Sequence, residues 1–296
     1  MNRIELVEVS PRDGLQNEPR ILATEDKLEL IRRAIDAGAR RLEVASFVHP
    51  GKVPQMADAE AVVAGLRKGA AHTIALVLNK RGALRALETQ IDEIGVVCAA
   101  SDTFGMRNQG MDAQQSLDMA CDVLKFSREQ GRPAQATIAV AFGCPFEGVV
   151  SPAKVINMAR RLAAAGSIEV ALADTIGIGR PGEVERLVAD VAAEIAPLPL
   201  RAHFHDTRGM GVANVMAAIR AGAKTIDAAI GGTGGCPFAP GAAGNVASED
   251  VAFALGDTVA VDMDKLVDTA GWLNGRLGRE RTSAVARAYA SAWAND

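Results

Sequence analysis

No cysteine in this chain has a second one three residues away. Cys98, Cys121, Cys144 and Cys236 are scattered, which excludes a C-x-x-C zinc or redox motif and fits reduced cytosolic thiols better than a disulfide framework. By default each is a small buried hydrophobe. Nor is there a basic block: the formal net charge is −4 with the signs interspersed, which argues against nucleic acid or an anionic membrane surface as partner. A small-molecule ligand is the remaining expectation. No apolar run approaches the roughly 18 residues that a membrane span requires. A strand-like run is reached by Ile4, which leaves no room for a signal or transit peptide, so a cytoplasmic location is expected. Aromatic residues make up only 4% against 49% apolar residues overall, so the core has to be built from Ala, Val, Ile and Leu. That usage belongs to parallel strands lying under helices.

What is present is a repeated alternation of strand and helix. Residues 4–9 alternate apolar with polar and stop at Ser10-Pro11-Arg12-Asp13-Gly14, a strand with a polar loop at its carboxyl end. Thr24 is placed to cap a helix over 24–37, in which Leu28, Leu30, Ile31, Ala34 and Ile35 follow helical spacing; Gly38 ends it, and 41–46 is the second strand. The pattern predicts further strands over 74–78, 94–99, 136–142, 168–173 and 225–230, and one before the last that ends in His203 and His205. It predicts helices over 57–68, 81–90, 113–130, 152–165, 181–195 and 210–221, with 246–255 as the last of eight. Strict alternation over 296 residues, with no G-x-G-x-x-G after the first strand, favours a (β/α)8 TIM barrel over an open doubly wound sheet. No Pro- or Ser-rich linker marks a second domain. The expected organisation is one catalytic domain over 1–296, a barrel to 258 and a helical extension over 259–296. In that extension Leu266, Ala270, Leu273 and Leu277 form one stripe, for packing on the barrel or for an oligomer contact.

Active sites of such barrels lie at the carboxyl ends of the strands, and the polar residues concentrate there. Arg12 and Asp13 end the first strand, Glu43 lies on the second, Asp174 ends the sixth, and Gly231 to Asn245 follow the eighth. The seventh carries His203 and His205, which side-chain alternation turns to one face, where two neutral imidazoles can chelate a metal. Asp13, His203, His205 and Asn245 make a mixed nitrogen and oxygen set that suits Mg2+ or Mn2+ better than structural zinc. Arg12 beside such an ion would hold developing negative charge. Each residue also has a plainer reading. Asp13 is a possible turn or capping residue, Glu43 a partner for an internal arginine, Asn245 a helix cap, and Cys236 inert core. His49 and His72 are read as surface residues.

Several blocks resemble the 3-hydroxy-3-methylglutaryl-CoA lyase family, in that family's order and over nearly the whole chain. They are Pro11-Arg12-Asp13-Gly14-Leu15-Gln16-Asn17-Glu18, Ser46-Phe47-Val48 with Val53-Pro54-Gln55-Met56-Ala57-Asp58, and Gly143-Cys144-Pro145-Phe146-Glu147-Gly148. Next come Asp174-Thr175-Ile176-Gly177 and His203-Phe204-His205-Asp206-Thr207. The most specific runs from Gly234-Gly235-Cys236-Pro237 through to Asn245. The resemblance implies a metal-dependent barrel that cleaves a 3-hydroxy-3-methylglutaryl thioester to acetyl-CoA and acetoacetate. It implies Asp13, His203, His205 and Asn245 as ligands of a divalent metal, and Arg12 as the group that stabilises the enolate. Cys236 would sit on a mobile glycine-rich loop, and Glu43 and Asp174 match acidic residues needed for activity. The catalytic set is therefore Arg12, Asp13, Glu43, Asp174, His203 and Cys236. Arg12, Gln16, Asn108 and Arg208 are taken as substrate-binding, with an acyl-CoA as the small-molecule partner and a homodimer or larger homo-oligomer expected.

The chain departs from the family pattern at three places. Arg208-Gly209 stands where Tyr-Gly is usual. The stretch from Ser101 to Asn108 loses an acidic and lysine-rich detail, and Gly232-Thr233 replaces Gly-Leu. These changes bear on the acyl group rather than on the cleavage. A related lyase or condensing enzyme for another 3-hydroxy acyl-CoA, and a non-catalytic ligand-binding barrel, stay open as alternatives.

Overall fold

Eight parallel strands close on themselves, each paired with the next and the last with the first. They are β1 (Glu5–Glu8), β2 (Arg41–Ser46), β3 (His72–Val77), β4 (Glu93–Ala99), β5 (Ala134–Ala139), β6 (Val170–Asp174), β7 (Leu200–Phe204) and β8 (Thr225–Ala228). The helices are α1 (Thr24–Asp36), α2 (Ala59–Ala64), α3 (Lys80–Leu87), α4 (Asp102–Gln109), α5 (Ala113–Glu129), α6 (Pro152–Ala164), α7 (Pro181–Ile195), α8 (Gly211–Arg220), α9 (Ser248–Leu255), α10 (Met263–Leu277) and α11 (Ala284–Ala292). This is the (β/α)8 barrel read from the alternation; β2 and α7 agree with their expected bounds residue for residue. The computed structural model describes residues 3–235, 244–280 and 283–292. No described helix is long and apolar enough to cross a membrane.

Strand register sorts the side chains into two sets, because residues paired across neighbouring parallel strands point the same way. One set comprises Leu42, Val44, Ala75, Val77, Ile94, Val96, Ala136, Ile138, Leu172, Ala202, Phe204 and Ile226, all buried in the main apolar core with the helices. The other set points to the barrel axis and is largely polar: Arg41, Glu43, Glu93, Gln135, Thr137, Arg201, His203, Thr225 and Asp227. Val7, Val9, Ile74 and Ala229 form a small separate apolar cluster there. A register shift between Glu43 and Ala45 changes the face that β2 presents just past Glu43.

Several local expectations are corrected. Thr24 is the first residue of α1 rather than its cap; Ala23 is the N-cap, and Thr24 Oγ1 donates to Asp58 Oδ2 at 2.7 Å. The expected helix over 57–68 is only α2, which gives way at Gly65 and follows a 3-10 turn at Pro54–Met56. An unexpected helix, α4, lies between β4 and α5, weakly amphipathic and closed by left-handed Gly110. Residues 10–14 form a π-helical turn rather than an open loop. By contrast α5 has a full capping box: Gln115 N donates to Asp112 Oδ1 at 2.8 Å and Asp112 N to Gln115 Oε1 at 3.1 Å, worth about 1 kcal/mol. The stripe of Leu266, Ala270, Leu273 and Leu277 is buried, and α10 packs on α1 and α9, which is the packing role of the two considered.

Candidate active site

The π-helical turn at Ser10–Gly14 follows β1 directly and carries Arg12 and Asp13 into the carboxyl-terminal mouth of the barrel. Such turns are rare and recur at functional sites. Gly14 lets the turn pack closely on Thr233: a Cβ there would stand 2.3 Å from Thr233 Oγ1. Arg12 donates to Glu43 Oε2 through Nε at 2.7 Å and Nη2 at 2.5 Å, and to Asp13 Oδ1 through Nη1 at 2.6 Å. Burial opposes its charge, but Glu43 and Asp13 outweigh burial and raise its pKa further.

His203 ends the inward row of β7, and His205 lies one residue beyond the strand. Asn245 reaches them from 40 residues along the chain because the segment 244–247 lies alongside the end of β7. Val246 N donates to Phe204 O at 3.0 Å, Asp206 N donates to Gly244 O at 3.0 Å, and His205 forms an antiparallel bridge with Asn245. Asn245 Nδ2 then donates to Asp13 Oδ2 at 2.7 Å and to Thr233 O at 3.1 Å.

Asp13, His203 and His205 each offer a ligand atom, all within 4.8 Å of one another. Beside them, buried Asn245 Oδ1 has no hydrogen-bond partner among the described residues. A lone pair left unmatched in the interior is costly, so its presence favours an electrophile nearby. Two imidazoles, a carboxylate and an amide oxygen fit a divalent cation. The electrostatics point the same way. Burial resists charge on Asp13, but Arg12, His203 and His205 hold its carboxyl well below the usual range. Burial and the neighbouring His203 push His205 down to about 4, which keeps that ring neutral and able to bind a metal near neutral pH. His203 differs: burial lowers its pKa, yet the bond to Asp227 and the charge of Asp13 raise it overall.

A cavity of about 650 Å3 opens from this cluster to solvent. Arg12, Asp13, Glu43, His203 and His205 line its buried end, with Gln16 and Asn108 also on the wall. Phe47, Val48, Leu76, Leu78, Val97 and Phe104 are apolar parts of its wall, and Lys52, Arg81 and His49 add exposed polar groups. Two expected site residues are elsewhere. Asp174 does not line the cavity: its carboxylate accepts from Ile178 N and Gly179 N, both at 2.9 Å, and burial raises its pKa. Arg208 is also off the wall, with Nη1 donating to Ile176 O at 3.2 Å and Gly177 O at 2.9 Å. Cys236 lies outside the described residues. His49 and His72 are exposed, as read; His49 lines the cavity, while His72 Nε2 is 2.8 Å from Glu93 Oε2 in the barrel. Sequence reading missed Thr175, Arg201 and Asp227, all on the cavity wall. The signal for Arg201 was its place two residues before His203, hence on the same face.

The chain matches the family model described as HMGL-like over residues 3–271. It is 41% identical over 290 residues to the 3-hydroxy-3-isohexenylglutaryl-CoA/hydroxy-methylglutaryl-CoA lyase of Pseudomonas aeruginosa, covering 97% of each chain. Among solved structures, hydroxymethylglutaryl-CoA lyase from Pseudomonas aeruginosa superposes with a TM-score of 0.93 at 40% identity, covering 98% of both chains. An HMG-CoA lyase from Acinetobacter baumannii, in complex with coenzyme A and 3-methylmalate, gives a TM-score of 0.91 at 38% identity, covering 97% of this chain and 95% of that one.

Proposed function

The chain belongs to the HMGL-like family of carbon–carbon lyases, and from that premise we propose that it cleaves 3-hydroxy-3-methylglutaryl-CoA to acetyl-CoA and acetoacetate with a bound Mg2+ or Mn2+. The observation that carries this reading is the meeting of Asp13, His203 and His205 beside Arg12 at the buried end of one cavity. Asp13, His203, His205 and Asn245, through its unpartnered Oδ1, would hold the cation. When bound, the ion would act as a Lewis acid on the tertiary hydroxyl and lower its pKa.

Cleavage requires three events. The hydroxyl proton leaves, the bond between carbons two and three breaks as the hydroxyl carbon becomes the ketone of acetoacetate, and the bonding electrons pass to the thioester as an enolate. Glu43 suits the first better than Asp13, because burial outweighs Arg12 and raises its pKa, whereas Asp13 is held low. Arg12 suits the last. Its fork is fixed by Glu43 and Asp13 before substrate arrives, so a planar cation awaits the enolate oxygen without reorganisation. Protonation at the enolate carbon then gives acetyl-CoA, and Cys236 is the donor that the family resemblance offers. Gln16 and Asn108, on the wall, would contact substrate, and the apolar parts of the wall suit the acyl and pantetheine carbons. With Asp174 tied into its loop by two amides, its part would be to shape that loop rather than to touch substrate.

A second reading has its own support. The Pseudomonas relative is named for a substrate with an isohexenyl group as well as for the methyl one, and the cavity wall here includes apolar side chains such as Phe47, Leu76, Leu78 and Phe104. A panel of 3-hydroxy-3-alkylglutaryl-CoA thioesters, offered to metal-loaded protein with acetyl-CoA release as readout, decides between them. The highest kcat/KM should fall on the methyl compound. A preference for longer alkyl groups would favour the second reading, and binding without turnover of any would leave only a ligand-binding barrel.

A further inference from the structure

We propose that Asp227 is a positioning residue for the metal centre, holding His203 with Nδ1 as the N–H donor and Nε2 free as the ligand nitrogen. The inference rests on the metal reading above and concerns which atoms build the site. His203 and Asp227 are register partners on β7 and β8, so both point to the barrel axis and a short side chain suffices to reach across. His203 Nδ1 is 3.1 Å from Asp227 Oδ2, with both residues buried. A carboxylate only accepts, so the ring nitrogen facing it must carry the hydrogen, and in the neutral ring the other nitrogen then has the lone pair.

Asp227 is itself restrained. Arg201 Nε stands 3.5 Å from Asp227 Oδ1 and 3.6 Å from Glu169 Oε2, and Arg41 Nη2 stands 3.1 Å from that same Glu169 oxygen and 2.7 Å from Glu93 Oε1. Charges of alternating sign therefore run along the barrel axis to the back of His203, and the charge of Arg201, paired with Asp227 Oδ1 without a hydrogen bond, favours the carboxylate's place next to the ring. Among the described residues His205 has no such support: its Nδ1 is buried without a hydrogen bond, and its backbone is bridged to Asn245. Carboxylate partners of ligating histidines fix the tautomer and raise basicity, and losing one typically costs roughly 10–100-fold in metal affinity.

The test uses full-length protein stripped with EDTA. Asp227→Asn keeps shape and an acceptor oxygen but removes the charge; Asp227→Ala removes both. Titration with Mn2+, read by the loss of its free-ion EPR signal, should show binding weakened about 10-fold in the first and about 100-fold in the second. In the metal-free state, 15N-histidine NMR gives a readout that simple destabilisation does not move. Above the pH at which the ring titrates, the His203 signal, identified by its loss in His203→Gln, should report the Nδ1–H tautomer in the parent and a mixture in Asp227→Ala. Mn2+ affinity within twofold of the parent, with the tautomer unchanged, would overturn the inference even if melting temperatures fell. Should Asp227→Ala fail to fold, Asp227→Asn alone decides. A parent protein that binds no Mn2+, or binds it equally after His205→Ala, would instead overturn the metal reading itself.

Discussion

Neighbouring residues of one strand meet opposite surroundings in this barrel. On β7, Leu200, Ala202 and Phe204 pack against the helices, while Arg201 and His203 point to the axis among Glu169, Asp227 and Asp13. On β4 the same holds for Ile94 and Val96 against Glu93. The apolar shell is the ordinary source of stability, since burying area is non-directional and tolerant. The axis is different: buried charges lose hydration, so ion pairs such as these are weak evidence for stability and better understood as fixing geometry. Partners decide how far burial counts. Glu93, bonded to His72 and beside Arg41, and Asp227, beside Arg201 and His203, have pKa values below the ordinary range despite burial, whereas at Glu43 burial outweighs Arg12 and raises the value. Among the described residues, Glu8 and Glu249, outside the axis, are held by hydroxyls and backbone amides, and burial raises the pKa of both.

If the axis carries function and the shell carries stability, substitutions should separate cleanly. The largest effect is expected for Asp13→Ala, which removes a metal ligand and one anchor of Arg12. Turnover of the folded protein should fall by about 10^3-fold or more, given the several kcal/mol that a Lewis acid supplies. Arg12→Lys comes next. A point-charge ammonium cannot hold Glu43, Asp13 and an enolate oxygen as a planar fork does, so kcat should drop on the order of 10^2-fold with KM nearly unchanged. A kcat within a few-fold of the parent would remove Arg12 from the chemistry.

On the shell side, Leu172→Ala should cost roughly 2–5 kcal/mol in denaturant unfolding while folded protein keeps its kcat. A collapse of kcat without loss of stability there would break the contrast. Glu249→Gln sharpens it through pH. The folded-state pKa of about 7 lies above the ordinary 4.5, so the folded protein holds a proton that the unfolded chain releases between those values. That contribution to stability is complete below pH 4.5 and is lost as pH rises through 7. The Gln variant, neutral throughout, should therefore be more stable than the parent at pH 8, by up to about 3 kcal/mol, and level with it at pH 4.5. Thermal melts at both values decide; an equal difference at each would show that Glu249 does not titrate in this range. The smallest effect belongs to Arg208→Tyr. With Arg208 bonded to Ile176 and Gly177 carbonyls off the cavity wall, relative kcat/KM across the acyl-CoA panel should change less than about twofold. A larger shift toward the methyl compound would return Arg208 to the substrate.

Much of this contrast was legible in the sequence. Alternation of strand and helix gave the barrel, because eight apolar strands and amphipathic helices leave few other closed arrangements. The strand ends gave Arg12, Asp13, Glu43, His203 and His205, which do meet. Less legible were features decided by tertiary contact. The segment with α4 has Gly105 and several polar residues, so its periodicity is weak, and it is a helix because Phe104 and Gly105 bury against the barrel. Asp227, between Ile226 and Ala228, carries a β-strand's alternation but nothing in the one-dimensional pattern says that its partner is His203. Asp174 ends a strand in the right place, yet local amides capture it first, a competition that spacing alone does not reveal.

The most direct test follows acetyl-CoA release from 3-hydroxy-3-methylglutaryl-CoA as EDTA-stripped, full-length protein is titrated with Mn2+. Turnover should be absent at the start, rise in proportion to bound metal and level off at one ion per chain. Full turnover by protein in which elemental analysis finds no metal would contradict the assignment of Asp13, His203, His205 and Asn245 and the chemistry built on them.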